Sequence, residues 1–343
     1  MTKPCARFIL VIIPFVLSEF LLAQTPTHEK SAQEGVALSE LIWRDPGDIA
    51  SLDLIAGAGG PEHAPNPEGP FTFVKEDLEG TNPKFDVTDA AGVTWRVKLG
   101  EESRTEIAAS RLMWAAGYFV DEDYYLPQLA VRGLPKLGRG QDFVSPAGTV
   151  NGAGLKRRQP DAKKAGHWDW FANPLLGTRE ENGLRIMMAL LNNWDLKQIN
   201  NSIIEIDGER RYMVSDLGAT LGRTGNYLTR SKGAVAGYDS SPFVRQTNEG
   251  FTDFVVHSRP FALTIVRPRY YRLNTRMADI VRHIPTADAR WLGDRLSRLS
   301  DAQLRDCFTA AGYATEDVER YAVAVKTRIA ALNALRQPGT DSR

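Results

Sequence analysis

The sequence predicts an α+β fold in two parts, a small β-rich half carrying one helix and then a mostly helical half. Three observations lead there. Short β-prone runs over residues 71–75, 84–88 and 94–99 are separated by turn residues, Gly80-Thr81-Asn82-Pro83 and Asp89-Ala90-Ala91-Gly92, which predicts an antiparallel meander. Helical stripes with start signals dominate from Thr178 onward. One strong hairpin signal, Asp207-Gly208 between residues 203–206 and 212–214, interrupts the helical part.

Before the first strand the chain reads differently. Lys3 and Arg7 precede an apolar run over residues 8–22, broken by Pro14, Ser18 and Glu19, and small Ala23 is followed by polar Gln24. That layout predicts a cleavable signal over residues 1–23 and export to the periplasm or medium. A membrane span needs about 20 apolar residues, so membrane attachment is expected only if the signal stays uncleaved. Residues 24–70 start polar and end Gly/Pro-rich, as a tether with one short helix near 38–44. The β-rich half is then placed at 71–131, a connector or insertion at 132–177, the helical half at 178–336 and a tail at 337–343.

The individual elements follow from local signals. Ser103-Arg-Thr-Glu106 has the form of a capping box, after which Ile107, Ala108, Leu112, Ala115 and Ala116 share a face up to Gly117. Residues 124–131 are expected as a strand. The irregular segment after it holds Trp168 and Trp170, most simply packing residues. Thr178-Arg-Glu-Glu181 has the same box form before Leu184, Met187, Met188 and Leu191, spaced for a helix buried on one side. Ser300-Asp-Ala-Gln303 opens a helix closed by Gly312. Thr315 opens another, with Val318, Tyr321, Ala322, Val325, Ile329 and Leu332 on its face.

Composition removes several classes of function. Basic and acidic residues balance at 42 each, and losing Lys3, Arg7 and Glu19 leaves one more acid than base, so a nucleic-acid partner is not expected. The exception is residues 132–164, with eight Lys and Arg (Arg132, Lys136, Arg139, Lys156, Arg157, Arg158, Lys163, Lys164) against Asp142 and Asp161. A solvated loop is the plainer reading, an anionic docking site the other. Cys5 falls in the signal and Cys307 stands alone, so no intramolecular disulfide holds the exported part and cysteine-built zinc sites are excluded. The five histidines never come at ligand spacing.

The chemistry-bearing residues cluster around the hairpin. Asp195 and Asn200 follow the Leu184–Leu191 stripe five residues apart, with Lys197 between them, and Asp216-Leu217-Gly218 stands at the hairpin's exit. Upstream, Lys98 ends the third β run and Glu106 lies in the next helix. Residues 71–335 on these motifs resemble the protein-kinase-like superfamily. Trp194-Asp-Leu-Lys-Gln-Ile-Asn200 is similar to a kinase catalytic loop and Asp216-Leu217-Gly218 stands where kinases carry Asp-Phe-Gly. The short run from Lys98 to Glu106 looks more like the atypical branch, such as HipA-type, phosphoinositide and secreted spore-coat or Golgi kinases. The resemblance implies a two-lobed fold, ATP and Mg²⁺ (or Mn²⁺) as cofactors, and transfer of a phosphate to a hydroxyl acceptor. It makes Lys98 the phosphate lysine and Glu106 its partner, Asp195 the base and Lys197 a γ-phosphate contact, with Asn200 and Asp216 the metal ligands. The acceptor stays open among protein, lipid head group, sugar and metabolite. Two alternatives stand beside it: a pseudokinase-type binding or scaffold protein, and another α+β fold in which Asp195 and Asp216 are unrelated loop residues.

Overall fold

Alternation along Thr94–Leu99 sets the first half of the molecule. The computed structural model, which describes residues 38–224, 230–248, 250–256 and 276–335, buries Trp95, Val97 and Leu99 and leaves Arg96 and Lys98 on the opposite face. That strand is β3, after β1 (Phe71–Asp77) and β2 (Lys84–Thr88). Helix α1 (Glu101–Ala115) follows, then β4 (Asp123–Arg132) and β5 (Thr149–Arg157). The five strands close into a barrel in the order β1-β2-β3-β5-β4, antiparallel except for the β1–β4 seam at Phe71↔Val131 and Thr72↔Arg132. Phe71, Phe85, Val87, Leu129, Val150 and Leu155 fill it together with the β3 residues.

Two expectations change here. The connector expected over 132–177 contains the barrel's fifth strand, whose Asn151-Gly152-Ala153-Gly154 centre lacks the bulky alternation that marks a strand in sequence. Gly154 is required by close approach, since a Cβ there would lie 2.8 Å from Ser103 Cβ of α1. The capping box at Ser103 is also not formed. Helix α1 starts three residues earlier than such a box would place it, at Glu101 after Gly100, and Ser103 Oγ donates to Gly100 O at 2.7 Å. Glu106 therefore stands on the second turn, free of any capping duty.

The second half is mainly helical. Thr178 caps α2 (Arg179–Leu190) by accepting the Glu181 amide, and Leu184, Met187, Met188 and Leu191 are buried as their spacing predicts. β6 (Lys163–Gly166), β7 (Asn201–Ile206) and β8 (Glu209–Val214) form a three-stranded sheet whose hairpin turn has positive φ at Asp207 and Gly208. After α3 (Val235–Asp239) comes a second small sheet, β9 (Val244–Asn248), β10 (Phe251–Phe254) and β11 (Ile284–Pro285). Helices α4 (Thr286–Leu296), α5 (Asp301–Thr309) and α6 (Thr315–Asn333) complete it. Ser300 and Gln303 make both bonds of the capping box that opens α5. The barrel and the helical part belong to one unit, residues 37–343.

From Leu38 on, the residues expected as a tether pack against this body. Ile42, Ile49 and Leu54 are buried in the main core, and Gln303 Nε2 donates to Ile49 O at 2.8 Å and to Leu52 O at 3.1 Å. The expected signal over residues 1–23, the first part of the tether and the tail at 337–343 lie outside the described residues. No described helix is long and apolar enough to cross a membrane. Cys307 is buried, which pushes its thiol up to about 12.

Candidate active site

Lys98 leaves β3 on the face that α1 covers, and the early start of α1 turns Glu106 toward it. Lys98 Nζ lies 2.5 Å from Glu106 Oε2 and 3.8 Å from Asp216 Oδ1. Three residues far apart in sequence thus meet at one ammonium. A second lysine joins them. Lys156, on β5, approaches the other Glu106 oxygen at 2.8 Å, Asp121 Oδ2 at 2.7 Å and the Ser215 carbonyl at 3.1 Å. Burial works against ionising the Glu106 carboxyl, but the ammoniums of Lys156 and Lys98 outweigh it and hold the group at about 2. Burial likewise disfavours the Lys156 cation, and Asp121 and Glu106 reverse that and raise it.

The loop after α2 supplies the remaining candidates. Asn192 adopts φ 54° where the chain leaves the helix, and its side chain is clamped on both sides. Its Nδ2 donates to Gly222 O at 2.7 Å, and its Oδ1 accepts from Arg328 Nη1 at 2.7 Å. Arg328 also donates to Leu190 O at 2.9 Å, which satisfies a carbonyl at the C-terminus of α2. Beyond this clamp the Asp195 amide donates to Asn193 Oδ1 at 3.0 Å, and Asn200 Nδ2 donates to Asp195 O at 2.6 Å. Lys197 Nζ sits 2.6 Å from Asp195 Oδ1.

Backbone bonds dock this loop on the segment that holds Asp216. Ser215 N donates to Asn200 O at 2.8 Å and Trp194 N to Ala219 O at 3.3 Å. Leu217 is buried, Gly218 N donates to Asp216 Oδ1 at 3.2 Å, and Thr105 Oγ1 of α1 donates to Gly218 O at 2.7 Å. The structure therefore joins Lys98, Glu106 and Asp216 directly. It places Asp195, Lys197 and Asn200 on the adjoining loop, one backbone hydrogen bond away.

The donor set suits a hard cation shared with phosphate. Asn200 spends its amide nitrogen on Asp195 O, which leaves Oδ1 as a donor oxygen, and Asp216 is half exposed with Oδ2 in no hydrogen bond or ion pair among the described residues. Mg²⁺ or Mn²⁺ sites of this kind take one or two protein oxygens and draw the rest from phosphates and water. Among the described residues no group of three or more His, Cys, Asp or Glu could hold a metal alone. Next to Ser215 a cavity of about 290 Å³ opens between the barrel and the β6–β8 sheet, lined by Asp121, Lys156, Gln159, Ser202, Met213 and Ser215 among others.

Sequence reasoning missed Lys156, Asp121 and Arg328. In the sequence Lys156 stands as one cation of the basic run over residues 132–164. Arg157 pairs with Glu122 at 3.3 Å and Arg139 binds Gly80 O at 2.5 Å, while Lys156, Arg157, Arg158 and Lys164 all line the cavity beside Ser215. Arg328 had a signal, because it lies three residues after Val325 and seven after Tyr321 on the buried stripe of α6.

Neither a family model nor a curated relative matches the sequence. Solved structures do. The proinflammatory kinase CtkA of Helicobacter pylori is similar over 77% of this chain and 98% of its own, at 11% identity and a TM-score of 0.38. A Golgi casein kinase is similar over 77% and 71%, at 11% identity and a TM-score of 0.37. A Golgi casein kinase with Mn/ADP bound is similar over 79% and 75%, at 12% identity and a TM-score of 0.37. A superposition that loose assigns nothing to individual residues.

Proposed function

We propose that this chain is a kinase-type phosphotransferase working outside the cytoplasm, moving the γ-phosphate of ATP to a hydroxyl acceptor. The observation that carries the reading is the shared ammonium of Lys98, ion-paired with buried Glu106 and 3.8 Å from Asp216, beside the Asp195–Asn200 loop. Phosphoryl transfer needs little covalent help and much positioning of charge. Lys98 is the cation for the phosphates, held in place by Glu106. Asp195 orients the acceptor hydroxyl and takes its proton, and Lys197, half exposed beside it, is the cation for the transferred group. Asn200 and Asp216 would hold Mg²⁺ or Mn²⁺, whose bound charge would neutralise phosphate oxygens. The 290 Å³ cavity has room for a nucleotide base. Export rests on the charged and apolar pattern of residues 1–23.

A second reading, a binding protein with this fold and no turnover, is favoured by the β1–β2 loop. It contains Gly80 alone, and Arg139 pins it by bonding the Gly80 carbonyl, so the phosphate-covering lid of protein kinases has no counterpart in it. The test of nucleotide binding is thermal. ATP with Mn²⁺ should raise the melting temperature, because a ligand of the folded state shifts the equilibrium by mass action. Asp216→Ala should abolish the metal-dependent part. Stabilisation that ignores both Mn²⁺ and Asp216 overturns the assignment of the site.

A further inference from the structure

Glu106 has two lysines where a phosphate-binding ion pair needs one. A lysine that both anchors a carboxylate and grips phosphate must divide its donors between them. Here Lys98 takes only Oε2 of Glu106, while Lys156 approaches Oε1 at 2.8 Å from the neighbouring strand. Strand register explains how both reach the carboxylate. Lys98 pairs with Gly154 and Arg96 with Lys156 across β3 and β5, so the two lysines stand two residues apart along one outer face of the barrel under α1. Gly154, opposite Lys98, leaves room for α1, since a Cβ there would lie 2.8 Å from Ser103 Cβ.

The charges balance around this arrangement. Asp121 neutralises Lys156 at 2.7 Å, Lys98 and Glu106 form the second pair, and the Asp216 carboxylate is left over beside them. Lys156 is largely enclosed: its ammonium donates to Asp121 Oδ2 at 2.7 Å and to the Ser215 carbonyl at 3.1 Å, and it ion-pairs with Glu106 Oε1 at 2.8 Å.

We infer that Lys156 is a positioning residue that holds Glu106 from behind, so that Lys98 can turn its donors to the nucleotide phosphates without leaving a buried carboxylate unpaired. The inference rests on the kinase reading above. Without Lys156, any movement of Lys98 toward phosphate would strip Glu106 of its remaining partner, and leaving a buried acceptor unsatisfied is costly. Lys98 would then stay with Glu106 and grip phosphate poorly.

A double-mutant cycle read by calorimetric ATP binding at saturating Mn²⁺ tests this on the purified protein. Lys156→Met should weaken ATP roughly tenfold, about the loss of one charge-assisted hydrogen bond to phosphate. In a Glu106→Gln background there is no carboxylate to hold, and the same Lys156→Met change should alter affinity less than about twofold. A lysine with a merely structural role would show its full effect in both backgrounds, and that result overturns the inference, as does a Lys156→Met protein that binds like wild type. If Lys156→Met does not fold, Lys156→Gln, which keeps a donor for the Ser215 carbonyl, is measured through the same cycle with the same expectations. Wild type that binds no ATP with Mn²⁺ sinks the kinase reading and this inference together. Normal wild-type binding with an unaffected Lys156 variant sinks this inference alone.

Discussion

Replacing Glu106 by Gln removes the charge on which both lysines converge while keeping shape. Its carboxyl is held at about 2 against an ordinary 4.5, a depression of some two and a half pH units in a group that is 4% exposed. At about 1.4 kcal/mol per unit, the ionised form contributes roughly 3 kcal/mol to folding at neutral pH. This matches the usual cost of breaking a buried ion pair, about 3–5 kcal/mol. A depressed carboxyl contributes above its unfolded value and loses that contribution as pH falls toward its folded value. Urea unfolding of wild type and Glu106→Gln should therefore differ by about 3 kcal/mol at pH 7 and by roughly half as much at pH 3. A gap that stays constant between pH 7 and pH 3, or one below about 1 kcal/mol at pH 7, would refute the claim that the two ammoniums hold this carboxylate ionised.

Three further outcomes follow from other contacts. Arg111→Met should destabilise by about 3–5 kcal/mol, since Asp123, 2.8 Å from that guanidinium and pushed up to about 6 by burial, would lose its cation in the core; chemical denaturation measures it. Gly154→Ala should cost about 1–3 kcal/mol and weaken ATP binding, because the new Cβ meets Ser103 and moves α1 with Glu106 away from Lys98; melting and nucleotide titration together check this. Cys307 should resist alkylation at pH 8 in the folded protein and react at once in denaturant, as burial pushes its thiol up to about 12.

Much of this is legible in the sequence, for identifiable reasons. The hairpin at Asp207-Gly208, the α2 stripe and the Lys98 strand have strong local signals, and those signals place Asp195, Asn200, Asp216 and Lys98 in their elements. What failed was what depends on partners elsewhere. In strand β5 Gly154 makes room for α1, and local pattern cannot see that helix. Lys156 therefore looked like one cation in a basic loop, although it sits between Glu106 and Asp121. Residues 38–70 looked like a tether since their apolar residues are sparse, yet Ile42, Ile49 and Leu54 each find a place in the core of the helical part. The Ser103–Glu106 box matched a capping pattern by spacing alone, while the positive φ of Gly100 starts the helix earlier and gives Glu106 to Lys98.

The central claim is that Asp195 and Lys98 serve one transfer reaction in different roles. The direct measurement follows labelled γ-phosphate from ATP with Mn²⁺ to water and to offered protein, sugar and lipid acceptors, for wild type, Asp195→Asn and Lys98→Ala. Asp195 acts on the hydroxyl, so Asp195→Asn should bind ATP as wild type does and transfer about 10²–10⁴-fold more slowly. Lys98→Ala should lose binding and transfer together. Wild type that binds ATP but transfers no faster than Asp195→Asn to any acceptor would contradict the account and leave a nucleotide-binding protein in place of an enzyme.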